Sequence, residues 1–319
     1  MTSLPVDDRL EVRLDAFVED PACHLFNTPA FFQLHAAGRG VYFQLCRRQR
    51  GDAVATLHFT EVAPGTFRSP ARGTYGAISA APDVPPSVLE TFLDMTEQTL
   101  VARGARELHV LLPPASHDLP MFSISTNLFL RRGYTIERHE LGYDLSIDER
   151  PLAARMESGN RKRFNKCVRE GFLATQLAPV DYRRAYDVIA GNRLRRGYPV
   201  TMTFEDVMRM AEVFPDRVTF FGVSRGEDLV AAAVCMAVSR EVLYVFSWGD
   251  TDGMQDHSPV TLLASAIYDS GQAKGFKIVD AGISTVDGEP NQGLIRFKRG
   301  LGFGESLKLT FAKRIAADA

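Results

Sequence analysis

A segment rich in basic residues lies in the middle of the chain and offers a cationic surface to anionic ligands. The segment is LAARMESGNRKRFNKCVREGF, residues 152–172, and the sequence predicts one helix over it. At 3.6 residues per turn, Lys162, Lys166 and Arg169 share one face, which suits the phosphate oxygens of CoA, a nucleotide sugar or tRNA. The predicted phosphate ligands are Arg161, Lys162 and Lys166. A solvated helix face that binds nothing is the alternative on charge alone.

A loop followed by a helix start is the second candidate anion site. The sequence predicts a strand over 242–248, the loop GDTDGMQDH over 249–257, and a helix beginning near Ser258, with serine as N-cap and Pro259 as first helical residue. A helix N-terminus presents free backbone N–H groups to phosphate, so Ser258 and Val260 are predicted to contact the donor. The loop aspartates repel phosphate, and an ordinary capped helix is the alternative.

The strand that precedes this loop supplies candidate substrate contacts. Strand ends beside a helix N-terminus are common places for small-molecule sites. The predicted substrate-binding residues on this strand are Tyr244, Ser247 and Trp248. A core position is the alternative for Trp248.

A third candidate site is the glycine-punctuated segment STVDGEPNQGLIRFKRGLGFG, residues 284–304, which the sequence predicts to be irregular. A lysine held near strand ends can stabilise a developing oxyanion, and Lys298 is the candidate. Asn291 and Arg296 are predicted to contact substrate. Asp280, at the end of the preceding strand, is a candidate proton acceptor, although a substrate carboxylate or water could serve. A solvated basic turn is the alternative for the segment.

Several other catalytic schemes lack their motifs. The sequence has no GxSxG, HExxH or GxxxxGK[ST], and no GxGxxG follows a predicted strand. The four cysteines form no CxxC pair and have no zinc-knuckle spacing. We therefore predict no metal site and no dinucleotide-binding fold.

Composition limits the class of protein. The chain has 319 residues, 45% hydrophobic and 24% charged, with a net charge of -2, which is typical of a globular enzyme and not of a disordered chain. The balanced charge and the lack of aromatic residues between the basic ones argue against a DNA-binding protein. Few scattered cysteines, no signal-peptide pattern at the start and no long apolar stretch predict a cytoplasmic protein without a membrane span.

A weak internal repeat predicts two similar domains. Residues 88–112 and 259–283 both indicate an amphipathic helix, a glycine stop and a buried strand. Gly104 matches Gly275 and Gly133 matches Gly302, each pair about 170 residues apart. Strands at 41–49 and 52–62 in the first half, and at 217–225, 228–238 and 241–249 in the second, predict antiparallel sheets. We predict an α/β fold with domains at 1–150 and 151–319; two unrelated α/β domains are the alternative.

These segments, in this order, resemble the Fem-type and BioF-type branch of the GNAT superfamily. The similarity is best over 155–305, where NxGLIRFKRGLG is the most specific motif and GNRKRFNKCVREGF is moderately specific. The N-terminal half matches more loosely, in FNTPAFFQLH and RSPARGTYGAIS. The resemblance implies two GNAT-like folds in tandem, each a mixed, mostly antiparallel sheet flanked by helices.

The resemblance also implies acyl transfer to an amine of a small molecule, sugar or peptide. The Phe-Lys pair of the motif lies at the catalytic centre in Fem-type enzymes, which maps to Phe297 and Lys298. In ordinary GNAT enzymes the donor's pyrophosphate binds the loop and helix that here span 249–262, but DTDGMQDHSP departs from the usual [QR]xxGx[GA] pattern. Acyl-CoA is the favoured donor, aminoacyl-tRNA stays open, and a non-catalytic GNAT scaffold is the third alternative.

Overall fold

The computed structural model of the chain describes residues 3–20, 23–36 and 38–315, and these form two compact units. Unit 1 contains the described residues up to Glu140 together with those from Ser306 onward, and unit 2 is Leu141–Glu305. The sequence placed the boundary at 150 and assigned the C-terminal strand to the second domain. The observed division into units differs from this predicted one, because the last strand of the chain pairs with a strand of unit 1.

The first half of the chain forms a sheet with helices on it. Its strands are β1 (Ser3–Pro5), β2 (Leu10–Leu14), β3 (Gly40–Arg47), β4 (Ala53–Ala63), β5 (Thr66–Ser69), β6 (Ser79–Ala80), β7 (Glu107–Leu111) and β8 (Thr135–Ser146). Its helices are α1 (Pro29–Ala36), α2 (Pro86–Ala102) and α3 (Leu119–Arg131). Apolar residues of α2 and α3 pack on one sheet face; they include Phe92, Leu93 and Phe129, against Leu57 and Phe59.

The second half repeats this plan. Its helices are α4 (Leu152–Arg155), α5 (Ser158–Arg169), α6 (Tyr182–Arg195), α7 (Phe204–Val213), α8 (Val260–Ala273) and α9 (Gln292–Gly300). Its strands are β9 (Leu173–Gln176), β10 (Val218–Arg225), β11 (Asp228–Ala237), β12 (Val242–Asp250), β13 (Ile278–Ile283), β14 (Thr285–Val286), β15 (Glu289–Pro290) and β16 (Gly304–Arg314). The apolar side of α8, with Leu263 and Ile267, packs on Ala233, Val245 and Val279.

Both halves follow one order of elements. Antiparallel strands β3-β4-β5 precede α2, β7, α3 and β8, just as β10-β11-β12 precede α8, β13, α9 and β16. The strand after the helix is parallel to the last strand of the meander in each half, β7 to β5 and β13 to β12. The observed hairpins and meander match the predicted strands.

The final strands of the two halves are exchanged. By its place in the order, β8 corresponds to β16, yet β8 pairs with β13 and β16 pairs with β7. Leu309 and Phe311 of β16 are buried in the core of unit 1. The C-terminal strand therefore completes the sheet of the first half of the sequence.

Two predicted elements are wrong in detail. The basic segment is not one helix over 152–172, because the backbone is extended at Met156. The Met156 side chain is buried, and the next amide, that of Glu157, donates to the Gly300 carbonyl at 2.9 Å. The segment 284–304 is not irregular, since it forms the β14–β15 hairpin and then α9. The Asn291 side chain caps α9 by accepting a hydrogen bond from the Leu294 amide at 3.0 Å.

Candidate functional site

The parallel strands β12 and β13 of unit 2 separate part of the way along. They pair only from Val242 with Ile278 to Tyr244 with Asp280, although β12 continues to Asp250. Beyond that point β12 carries a bulge at Phe246, which lies between two registers with β11. A bulge bends a strand and breaks its pairing, so beyond Tyr244 the backbone of β12 has no ladder partner on the β13 side among the described residues.

Lys298 lies at the mouth of this split and is the most completely buried cation of unit 2 among the described residues. Only 1% of its surface is exposed. Its Nζ donates to the carbonyl oxygens of Gly282 and Ile283, at 2.9 and 3.0 Å, and lies 5.7 Å from the centre of the Tyr143 ring. Burial lowers the pKa of the Lys298 ammonium to about 7, and the carboxylate of Asp280 opposes that decrease.

Tyr244 and Asp280 are the last paired residues of β12 and β13, and both lie near Lys298: Asp280 acts on its ammonium electrostatically, and Tyr244 packs on Gly282, whose carbonyl accepts from that ammonium. Asp280 is 1% exposed, and its Oδ1 accepts a hydrogen bond from the Gly282 amide at 2.7 Å. The Tyr244 ring packs on Gly282, which has a φ of 74° and so favours glycine. The structure therefore brings three predicted site residues, Tyr244, Asp280 and Lys298, to one place.

An aromatic contact connects the far part of β12 with α9. The rings of Trp248 and Phe297 meet edge to face with centroids 6.1 Å apart, and Trp248 also touches Phe303. Phe297 and Trp248 are half-buried, so part of each ring is accessible to solvent. Arg296 is exposed and makes no side-chain hydrogen bond or ion pair to the described residues, which leaves it available to a substrate.

Asn291 and Ser247 lie apart from this group. Besides capping α9, the Asn291 amide donates to the Tyr198 hydroxyl at 2.7 Å, so its polar atoms are engaged in holding the helix start. Ser247 lines a cavity of about 30 Å³ between β12 and α6, and its hydroxyl is buried without a hydrogen-bond partner among the described residues. Substrate contact stays a prediction for both residues.

The basic helix α5 lies against the start of α8 and the loop before it. The Cys167 thiol of α5 donates to the His257 carbonyl at 3.4 Å, and the His257 imidazole pairs with Glu170 at 2.8 Å. The side chains of Arg161 and Lys162 are exposed, Lys166 is half-buried, and none forms an ion pair within the described part of the chain. Two separately predicted anion sites are thus neighbours in unit 2.

The start of α8 differs from the prediction. The helix begins at Val260, and Ser258 provides no side-chain cap, because its backbone is left-handed with a φ of 48°. The Ser258 carbonyl instead accepts hydrogen bonds from the amide and hydroxyl of Thr261, at 2.9 and 3.0 Å. The Val260 side chain is buried in the core of unit 2, so only its backbone could meet a ligand.

Tyr143 and Asn160 also belong to the site; Tyr143 carried no signal in the sequence, and Asn160 lay within the basic motif GNRKRFNKCVREGF without a predicted role. Tyr143 is 1% exposed and lies under the Lys298 ammonium, and its hydroxyl donates to Glu305 at 3.3 Å. It reaches this place through the pairing of β8 with β13. The Asn160 amide of α5 donates to the Phe297 carbonyl at 3.4 Å, which connects the basic helix to α9.

Among its described residues, unit 1 has no lysine at the position equivalent to Lys298. Phe129 lies four residues before Gly133, as Lys298 lies four residues before Gly302, and Phe129 is fully buried in the core. At the end of β7, the Gly76 amide donates to the Leu111 carbonyl at 2.8 Å, so a loop of unit 1 fills the position where β12 leaves β13 in unit 2. The Lys298 site therefore has no counterpart among the described residues of unit 1.

The described residues provide neither a metal centre nor a membrane span. Among them, no group of three or more His, Cys, Asp or Glu side chains is placed to hold a metal ion. In the same part of the chain, no helix combines the length and apolar composition that crossing a membrane would require.

Solved structures show the same fold over nearly the whole chain. FemX matches with a TM-score of 0.71 at 12% identity, covering 94% of this chain and 95% of FemX. L-PGS from Bacillus licheniformis matches with a TM-score of 0.57 at 14% identity, over 94% of this chain and 95% of that one. A tandem GNAT protein from the clavulanic acid biosynthesis pathway, solved without AcCoA, matches with a TM-score of 0.53 at 11% identity, over 96% and 92%.

The chain therefore has the Fem-type form of the GNAT fold, with two GNAT-like domains in tandem, and the prediction of fold class is confirmed. No model of a known protein family matches the sequence, and no curated protein matches it either. At this level of identity the similarity establishes the fold.

Proposed function

We propose that unit 2 is an N-acyltransferase, which moves an acyl group from acyl-CoA to an amine of a small molecule, sugar or peptide. The observation that carries the proposal is the buried Lys298 ammonium at the point where β12 and β13 separate. Two of its three N–H groups donate to backbone carbonyls, and the third is left for a ligand. A cation fixed in a dry site stabilises negative charge that develops there.

The reaction requires no covalent enzyme intermediate. The acceptor amine attacks the donor's carbonyl carbon directly, and the carbonyl oxygen becomes an oxyanion that Lys298 stabilises. Collapse of this tetrahedral species expels the CoA thiolate and leaves an amide. Asp280, buried beside Lys298, is the proposed acceptor of the proton that the amine loses.

Supporting residues have roles in this proposal that follow from their positions. Phe297 and Trp248 limit water entry beside Lys298, and Tyr244 packs along the acyl group. Arg296 contacts the acceptor from the exposed side of α9. Arg161, Lys162 and Lys166 bind the donor's phosphates together with the backbone at Ser258 and Val260, because α5 and the start of α8 are neighbours.

A Fem-type aminoacyltransferase using aminoacyl-tRNA is the second candidate, for cell-wall or peptide natural-product synthesis. The observation in its favour is the face of α5, whose exposed cations lack ion pairs within the described residues and could equally follow a nucleic acid backbone. The aspartates of the loop at 249–257 are unfavourable for a pyrophosphate, which also supports this candidate.

Thiol release distinguishes these functions. The full chain is incubated with acetyl-CoA and a panel of amines, and in parallel with aminoacyl-tRNA and the same amines, with product identified by mass. Amine-dependent thiol release that disappears in Lys298→Met supports the proposal. Transfer from tRNA alone supports the second candidate, whereas no transfer from either donor, with the protein folded, leaves a GNAT scaffold without activity.

A further inference from the structure

A row of polar side chains crosses the sheet of unit 1 at the position that the candidate catalytic residues occupy in unit 2. Thr60 of β4 lies opposite Arg68 of β5, and Arg68 lies opposite His109 of β7. Residues directly opposite each other on paired strands project to the same face, so the three side chains are neighbours. The equivalent row in unit 2 runs from Met236 to Tyr244 and Asp280.

The Arg68 guanidinium has no hydrogen bond or ion pair within the described residues, although it is only partly exposed. Burial lowers its pKa from the usual value, and repulsion from Arg138 adds to that effect, while Glu137 opposes it. A partly desolvated cation without a partner costs free energy of folding. A ligand anion that paired with Arg68 would offset this cost.

The neighbours of Arg68 fit an oxyanion. The Thr60 side chain is 4% exposed, and its hydroxyl is buried without a hydrogen-bond partner in the described part of the chain. On the other side, His109 is held by Glu137, with Nδ1 and Oε2 2.9 Å apart. The second carboxylate nearby, Glu107, is neutralised by Arg314 at 3.1 Å. Arg68 therefore forms no ion pair with the described residues, although the Glu137 carboxylate acts on it electrostatically.

We propose that Arg68 and Thr60 bind an oxyanionic group, a phosphate or a carboxylate, of a small-molecule ligand on this face of unit 1. The planar guanidinium donates two parallel hydrogen bonds to the oxyanion, and the Thr60 hydroxyl donates a third. His109 lies at the rim of the site. This inference concerns unit 1 alone and is independent of the activity proposed for unit 2.

The test uses the imidazole signal of His109 as a local probe in the full chain. Inorganic phosphate and acetate are titrated separately at constant ionic strength, and His109→Gln identifies the His109 signal in NMR spectra. We expect a saturable shift of the His109 signal with at least one of the two anions. The anion that binds more tightly indicates whether the ligand's oxyanionic group is a phosphate or a carboxylate. In Arg68→Met the dissociation constant should rise by about tenfold or more, because a hydrogen bond to a charged group is lost.

Arg103→Met is the matched control, since Arg103 is an exposed arginine of the same unit without an ion pair in the described residues, and it should bind as the wild type does. The proposal is overturned if neither anion gives a saturable shift, or if Arg68→Met retains wild-type affinity. Should Arg68→Met fail to fold, Arg68→Lys provides the test. It is expected to bind several-fold more weakly, since an ammonium lacks the paired donors, and unchanged binding would contradict the proposal.

Discussion

The Lys298 side chain is almost fully buried, so it is either a charged ammonium with partners or a neutral amine. Its surroundings are compatible with both forms. The carbonyls of Gly282 and Ile283 accept two of its N–H groups, the Tyr143 ring favours a cation, and burial disfavours one. The pKa of about 7 means that a modest change in pH or in Asp280 shifts the balance. The proposed mechanism uses the charged form.

Replacement of Lys298 by methionine should reduce kcat about 10²–10³-fold, because one fixed oxyanion donor is lost. The KM for the donor should change little, since the interaction forms in the transition state. Steady-state kinetics with the amine identified by the thiol-release assay provide the measurement. Lys277→Met, at an exposed lysine of the same unit, is the control and should be near wild type. Near-normal turnover in folded Lys298→Met would remove Lys298 from the mechanism.

The pH dependence of kcat tests which form of Lys298 is active. If the ammonium stabilises the oxyanion, kcat should fall as pH rises through about 7, where the group loses its proton. Because the carboxylate of Asp280 raises the pKa of Lys298, Asp280→Asn should move this decrease to lower pH. An acceptor amine that must lose a proton before attack adds a rising limb near its own pKa, about 8–10 for an alkylamine, so the profile is compared with that of Lys298→Met, which should lack the decrease. Profiles of the same shape for the wild type and Lys298→Met would contradict a role for the charged form of Lys298.

At the scale of elements, α5 and the start of α8 act together, since His257 connects them through Glu170 and Cys167. The double variant Lys162→Ala/Lys166→Ala should raise the KM for the donor several-fold at low salt and less at high salt, because salt screens exposed charges. Arg209→Ala, at an exposed arginine of α7, is the control. An unchanged KM at low salt would mean that α5 is an ordinary solvated helix.

Most elements could be predicted from hydrophobic periodicity and glycine stops, as with α2, α8 and the meander β10-β11-β12. The failures have local causes. The break between α4 and α5 depends on the hydrogen bond from Glu157 to Gly300, which lies far away in the sequence. The helix α9 was missed because its glycines suggested a turn, while its Asn291 cap and its buried Ile295 and Lys298 form a helical stripe.

For the whole molecule, the exchange of β8 and β16 decides which core the C-terminal strand stabilises. Phe311 of β16 is fully buried and stacks on Phe129 with ring centroids 5.5 Å apart. Phe311→Ala should therefore destabilise unit 1, by about 3–5 kcal/mol, and reduce hydrogen-exchange protection in β7 more than in β11. Leu307→Ala, at an exposed position on the same strand, is the control. Loss of protection in β11 with β7 unchanged would contradict the exchange.

The sequence repeat predicted the tandem fold but could not reveal the exchange, because both final strands have the same polar-apolar alternation and either could complete either sheet. Tyr143 shows the consequence for the site. It lies in the first half of the sequence and reaches Lys298 only because β8 pairs with β13. In contrast, Lys298 could be predicted as a site residue from a local motif, and Asp280 from its position at the end of a strand.

The central claim is that the donor binds where β12 leaves β13 in unit 2, and Trp248 offers a direct test because it is the only tryptophan of the chain. Its ring contacts Phe297, next to Lys298. Titration of the full chain with acetyl-CoA, corrected for absorption by adenine, should change the tryptophan fluorescence saturably, and Lys162→Ala/Lys166→Ala should weaken that binding several-fold. Calorimetric binding of acetyl-CoA without any change in Trp248 fluorescence would contradict the claim.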